Sequence, residues 1–226
     1  QPVTITVKAV APNAPTGLVL AGNTLSWTAP IITGGEAITG YAATATPTAG
    51  GAPVSCTPSP ITATSCAFSN LTGGQNYDFA VTVTNAANLT ATATLTAQPI
   101  VGTPSVTLGS LTTPVNWASA GSTQNLTATA KAPDSSVLNL VITYNAVGTP
   151  ANACSASGTM LTLSNVGTCA VTATSTATTL WASATSQPVT ITVKAVAPNA
   201  PTGLALAGNT LSWTAPTITG GEAITG

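Results

Sequence analysis

The first forty residues of this chain occur twice. Residues 1–40 read QPVTITVKAVAPNAPTGLVLAGNTLSWTAPIITGGEAITG, and residues 187–226 repeat them with two changes, Val19 against Ala205 and Ile31 against Thr217. Thus 38 of 40 positions agree at an offset of 186, which chance does not produce. Self-similarity at a fixed offset is the mark of an array. The unit is 186 residues long, and the chain holds one unit and 40 residues of the next. Gly226 falls inside a motif that in the first copy runs on into Tyr41. A window cut from a longer array, flanked by pieces of neighbouring modules, is therefore expected.

Within the unit the hydrophobic period is two. Tyr77, Phe79, Val81 and Val83 alternate with Asp78, Ala80, Thr82 and Thr84. Leu138, Leu140, Ile142 and Tyr144 alternate with Asn139, Val141 and Thr143, and Val189, Ile191 and Val193 with Thr190, Thr192 and Lys194. Such alternation predicts strands with one apolar face. The other face is mostly Thr, whose branched side chain suits a pleated surface. Turn signals at Gly22-Asn23, Gly34-Gly35, Gly50-Gly51 and Gly73-Gly74 punctuate these runs. Many short strands without helical stretches predict an all-β chain of two antiparallel β-sandwich domains in tandem, with partial flanking modules.

Charge is nearly absent. Asp, Glu, Lys and Arg make up 3% of the chain, against roughly 25% in an ordinary domain. The charged residues are Lys8, Lys131, Lys194, Glu36, Asp78, Asp134 and Glu222, and there is no His. Thr, about a fifth of the residues, and Ala take their place. A net charge of −1 offers no handle on nucleic acid or an anionic membrane. It also does not oppose association of chain with chain. No apolar run approaches the length of a transmembrane helix, so no membrane insertion is expected of this segment. The cysteines fall as two close pairs, Cys56/Cys66 and Cys154/Cys169. An even count, local pairing and no His to complete a metal site predict two disulfides and an oxidising compartment.

Residues 11–99 resemble a fibronectin type III domain. The resemblance is carried by Pro15-Thr16-Gly17-Leu18, by Leu25-Ser26-Trp27-Thr28-Ala29-Pro30, and by Gly34-Gly35 with Ile38-Thr39-Gly40-Tyr41. It ends in Leu71-Thr72-Gly73-Gly74-Gln75-Asn76-Tyr77-Asp78-Phe79-Ala80-Val81 and Asn85. It implies that Trp27 and Tyr41 are core residues and that Tyr77 is the corner tyrosine whose hydroxyl ties the loop before the sixth strand. Residues 197–226 would then be the opening strands of the next such domain, with Trp213 a core residue equivalent to Trp27. The Cys56/Cys66 pair departs from the family pattern and would staple the middle strands of a core rich in Ala and Val.

Residues 100–196 are similar to a bacterial immunoglobulin-like domain. The stretches are Asn125-Leu126-Thr127-Ala128-Thr129-Ala130, Cys154-Ser155-Ala156-Ser157-Gly158, Val166-Gly167-Thr168-Cys169-Ala170-Val171-Thr172-Ala173, and Leu180-Trp181-Ala182-Ser183-Ala184 running into Pro188-Val189-Thr190-Ile191-Thr192-Val193. Residues 1–10 duplicate its final strand and are assigned to a preceding module. Proline-bearing joints at 98–104 and 195–201 would stiffen the array. Two sandwiches in line, with strands rising about 3.3 Å per residue, give an axial repeat on the order of 70–80 Å.

No catalytic reading emerges. The acids are scattered, Glu222 is the repeat copy of Glu36, and the hydroxyls have no base to activate them. Neither a carboxylate cluster for calcium nor a phosphate-binding loop is present, so no metal or cofactor is expected. Three features carry weaker signals. The triplets at Asn70, Asn88 and Asn125 fit glycan acceptors, but Leu71 and Leu126 also read as core. Lys8 or Lys194 would need a Glu partner, which cannot be placed, to support a cross-link. Trp117 and Trp181 fit either a sugar-stacking surface or, better, a core or domain-junction role. The expected function is a structural repeat of a large secreted or cell-surface fibre whose partners are copies of itself. The alternative is the spacer stalk of an adhesin.

Overall fold

The computed structural model describes residues 3, 5–117, 121–217 and 219–224. These residues are all-β and contain no helix. They fall into two compact units, Gln1–Thr103 with Thr178–Ala182, and Pro104–Ala177 with Ser183–Gly226.

In the first unit, β1 (Thr16–Ala21), β2 (Thr24–Thr28) and β5 (Ser65–Ala67) form a three-stranded sheet in the order β1-β2-β5. β3 (Ile38–Pro47), β4 (Val54–Cys56), β6 (Gln75–Asn85) and β7 (Thr90–Ile100) form a second sheet in the order β4-β3-β6-β7. All pairings are antiparallel. Alternation on β6 sends Tyr77, Phe79, Val81, Val83 and Asn85 inward, and all five are buried. They meet Leu25 and Trp27 from β2 and Tyr41, Ala43 and Ala45 from β3, so the apolar faces of the two sheets close one core. Rings pack at 5.4 Å in both Trp27–Tyr41 and Phe68–Phe79. Such tilted and edge-on contacts match the quadrupoles of the rings.

The second unit contains β8 (Ser105–Leu108), β9 (Val115–Asn116), β10 (Ser122–Asn125), β11 (Ala128–Lys131), β12 (Val137–Leu138) and β13 (Ile142–Thr149). It continues with β14 (Cys154–Ser157), β15 (Met160–Leu163), β16 (Gly167–Ser175), β17 (Ala184–Thr185) and β18 (Val189–Lys194). The sheets run β10-β15-β14, β12-β11-β8 and β13-β16-β18-β9, with β17 also on β16. β18 lies between β16, antiparallel, and β9, parallel. Its Ile191 and Val193 join Val171, Ala173, Leu161 and Leu163 in the core. The alternation over 138–144 is real in burial, but the chain leaves one sheet after Leu138 and enters another at Ile142.

One expected core residue, Trp213, is not in a core. Among the described residues β19 (Thr202–Ala207) and β20 (Thr210–Thr214) pair only with each other, and Trp213 is 58% exposed rather than a core residue. Trp27 is 5% exposed because β3 and β6 lie over its hairpin, and residues 187–226 supply no counterpart of those strands. Residues 5–8 form no strand here, although their copies 191–194 lie on β18. A strand needs a neighbour for its backbone N–H and C=O groups, and among the described residues none pairs with residues 5–8.

Candidate functional site

The described residues hold no group of three or more His, Cys, Asp or Glu side chains placed to share a metal ion. Two of the four acids, Asp78 and Asp134, serve the backbone instead. Asp78 Oδ1 accepts a bond from Ala97 N at 2.8 Å, where β7 bulges against β6. Asp134 Oδ1 accepts from the Ser136 hydroxyl at 2.6 Å and the Ser136 amide at 3.0 Å. Those donors hold its carboxyl below the usual carboxylate range. A surface concavity bounded by Thr39, Tyr41, Thr57, Ile61 and Thr84 has one titratable group, the Tyr41 phenol, which burial pushes upward.

The pH response follows from these signs. Asp134 has a lowered folded value, so its contribution is present above its unfolded value of about 3.9 and is lost as the pH falls through the folded one. Tyr41 has a raised folded value, so its contribution is present below about 10 and is lost as the pH rises through the folded one. There is no His and no free thiol to titrate between them. Melting temperature is expected to stay level from about pH 5 to pH 9, and a scan in which it moves by more than about 5 °C would contradict this.

Tyr77 organises the loop before β6. Its Oη accepts from the Thr72 amide at 2.9 Å and from Gln75 Nε2 at 2.9 Å, while its ring is buried. Tyr77→Phe leaves the ring in place and removes one acceptor with two donors. A loss of about 1–2 kcal/mol is expected in denaturant unfolding of the first unit. Trp27 Nε1 is buried with no partner, so its indole acts by packing alone.

The sulfurs of Cys56 and Cys66 are joined, as are those of Cys154 and Cys169. Cys56 lies on β4 and Cys66 on β5, which belong to different sheets of the first unit. Cys154 on β14 and Cys169 on β16 likewise tie two sheets of the second unit. Each bridge therefore spans its own sandwich.

The tryptophans read as surface or junction candidates lie on glycines. In the first unit Gly102 N donates to Leu180 O and Ala182 N to Gly102 O, both at 2.8 Å, holding Trp181 in place. A Cβ on Gly74 would stand 2.8 Å from Trp181 Cε2, and one on Gly102 would stand 2.9 Å from its Cε3. Neither glycine accommodates a side chain beneath that indole. In the second unit a Cβ on Gly221 would stand 2.8 Å from Cγ and 2.9 Å from Cδ1 of Trp117. Trp117 N donates to Lys194 O at 2.8 Å, which fixes the residue at the end of β18.

Asn85 is the functional side chain that sequence reasoning named without a role. Its amide is fully buried. Nδ2 donates to Val10 O at 2.9 Å and Thr33 O at 3.1 Å. Oδ1 accepts from Ala87 N at 3.2 Å and Leu89 N at 3.0 Å. The signal was available, since the inward set 77, 79, 81 and 83 extends to 85, where a polar residue must be paired. The glycine seats had no such signal, because Gly-Gly reads equally well as a turn.

The family model described as "Fibronectin type III domain" matches residues 14–98. No curated protein matches the sequence. Among solved structures, the FN1–FN3 domains of chicken CNTN1 in a crystal structure are similar at 14% identity, over 91% of this chain and 76% of that one, with a TM-score of 0.35. The match falls on β1 to β7, with their two facing sheets and tyrosine-tied loop. Residues 14–98 are a fibronectin type III domain.

Proposed function

We propose that the chain is a non-catalytic structural repeat of a long extracellular fibre, in which fibronectin type III modules alternate with bacterial immunoglobulin-like modules. The observation that carries this reading is the return of residues 1–40 at 187–226 with two changes. Near-identity over that length serves a repeated structural part, where each copy must make the same contacts. The two disulfides support a secreted or cell-surface location, where such bonds persist. The nearly uncharged surface of Thr, Ala and Asn favours packing of array against array over a solitary spacer, which gains solubility from charge. Copies of the chain itself are the partners.

Electron microscopy of the native material tests this. Filaments several sandwiches wide, with a regular axial repeat, are expected. Threads one module wide that end in a knob would replace the fibre by the spacer stalk of an adhesin.

A further inference from the structure

The same forty residues stand in two environments in this chain. Gly34 and Gly35 have φ of 79° and 87°, and their copies Gly220 and Gly221 have 75° and 91°. Val10 N donates to Gly34 O at 3.0 Å, and Val196 N to Gly220 O at 3.0 Å. The glycine loop is thus built identically twice. Its cover is not. The Cβ direction of Gly221 runs into Trp117 and Val166, whereas that of Gly35 meets nothing within 4 Å. The strand beside it repeats the contrast. Val3, Ile5 and Val7 are more than 80% exposed, while their copies Val189, Ile191 and Val193 lie on β18, the last two fully buried between β16 and β9.

We infer that Val3, Ile5, Val7 and Gly35 together form a docking surface for a second copy of the 104–177 segment. That copy takes the first three residues as the strand between its β16 and β9 and lays its Trp117 on Gly35. The occupant is specified by the chain itself, because the same sequence, with the glycine loop in the same backbone form, already sits in that seat at 187–221. The lone amide of Trp117, which bonds Lys194 O here, would bond the carbonyl of Lys8 there. The inference rests on the array reading and adds to it the residues through which one unit holds the next.

Hydrogen exchange tests it. In the 226-residue chain the amides of Ile5 and Val7 are expected to exchange freely, and those of Ile191 and Val193 slowly. In a chain extended at its N-terminus by one further unit, the downstream copies of Ile5 and Val7 should slow by at least about a hundredfold. If they remain fast, the inference is wrong. Gly35→Ala is a second probe that leaves the upstream unit untouched: it should free the Trp117 ring, seen as a red shift of its fluorescence, and an unchanged spectrum would argue against the contact. A native material without filaments would sink the fibre reading and leave these exchange results standing.

Discussion

Replacing Cys154 and Cys169 together by Ala is expected to lower the stability of the second unit by about 3 kcal/mol. The bridge closes a loop with a sequence separation of 15, for which lost chain entropy in the unfolded state amounts to about 3 kcal/mol. Cys169 is fully buried among Val171, Ala173 and Ile191, so its truncation adds a small cavity to that figure. A sandwich tied by short strands such as β14 and β17 has little reserve against such a change. Denaturant unfolding followed by exchange at the Val171 amide measures the loss, with the Val81 amide as an internal control in the first unit. A decrease below about 1 kcal/mol would mean that the reduced chain already holds the two sheets together.

Asn85→Ala is expected to cost the first unit about 2–3 kcal/mol, because it removes four hydrogen bonds made by a fully buried side chain and leaves a cavity there, while the exposed backbone groups of Val10, Ala87 and Leu89 turn to water. Asn85→Asp separates the two halves of the amide. Its carboxylate keeps the acceptor bonds but turns an oxygen toward the carbonyls of Val10 and Thr33, at 2.9 and 3.1 Å in the native protein. At neutral pH it should therefore be worse than Ala, an unpaired buried charge costing about 3–5 kcal/mol. Acidification protonates the carboxyl and restores one donor, so the Asp variant should recover stability as the pH falls. Equal losses in the two variants, or no recovery in acid, would show that the donor bonds to the Val10 segment contribute nothing.

Much of this was legible in the chain. Alternation over 77–83 marks β6, and the Gly22-Asn23 pair marks the turn between β1 and β2. That hairpin is local information: Leu20↔Leu25 and Leu206↔Leu211 pair in the same register, with the same irregularity, in both copies. The corner role of Tyr77 was legible from the resemblance, because the family motif places a hydroxyl two residues into the strand. The tetravalent role of Asn85 was half legible, since the period put it inward without naming its partners. The glycine seats were not legible, because a seat depends on which ring arrives from far along the chain.

The sequence by itself determined the period-two strands, the hairpin registers, the near absence of charge and the 186-residue repeat. Only the tertiary structure decided which copies are buried. Trp27 and Trp213 stand in the same LSWT strand, and Ile5 and Ile191 in the same ITVK segment, yet one of each pair is enclosed and the other exposed. The physical reason is that a strand gains from its pattern only when another backbone satisfies its amides and another apolar face covers its own. Those partners lie tens of residues away, and no local sequence contains them.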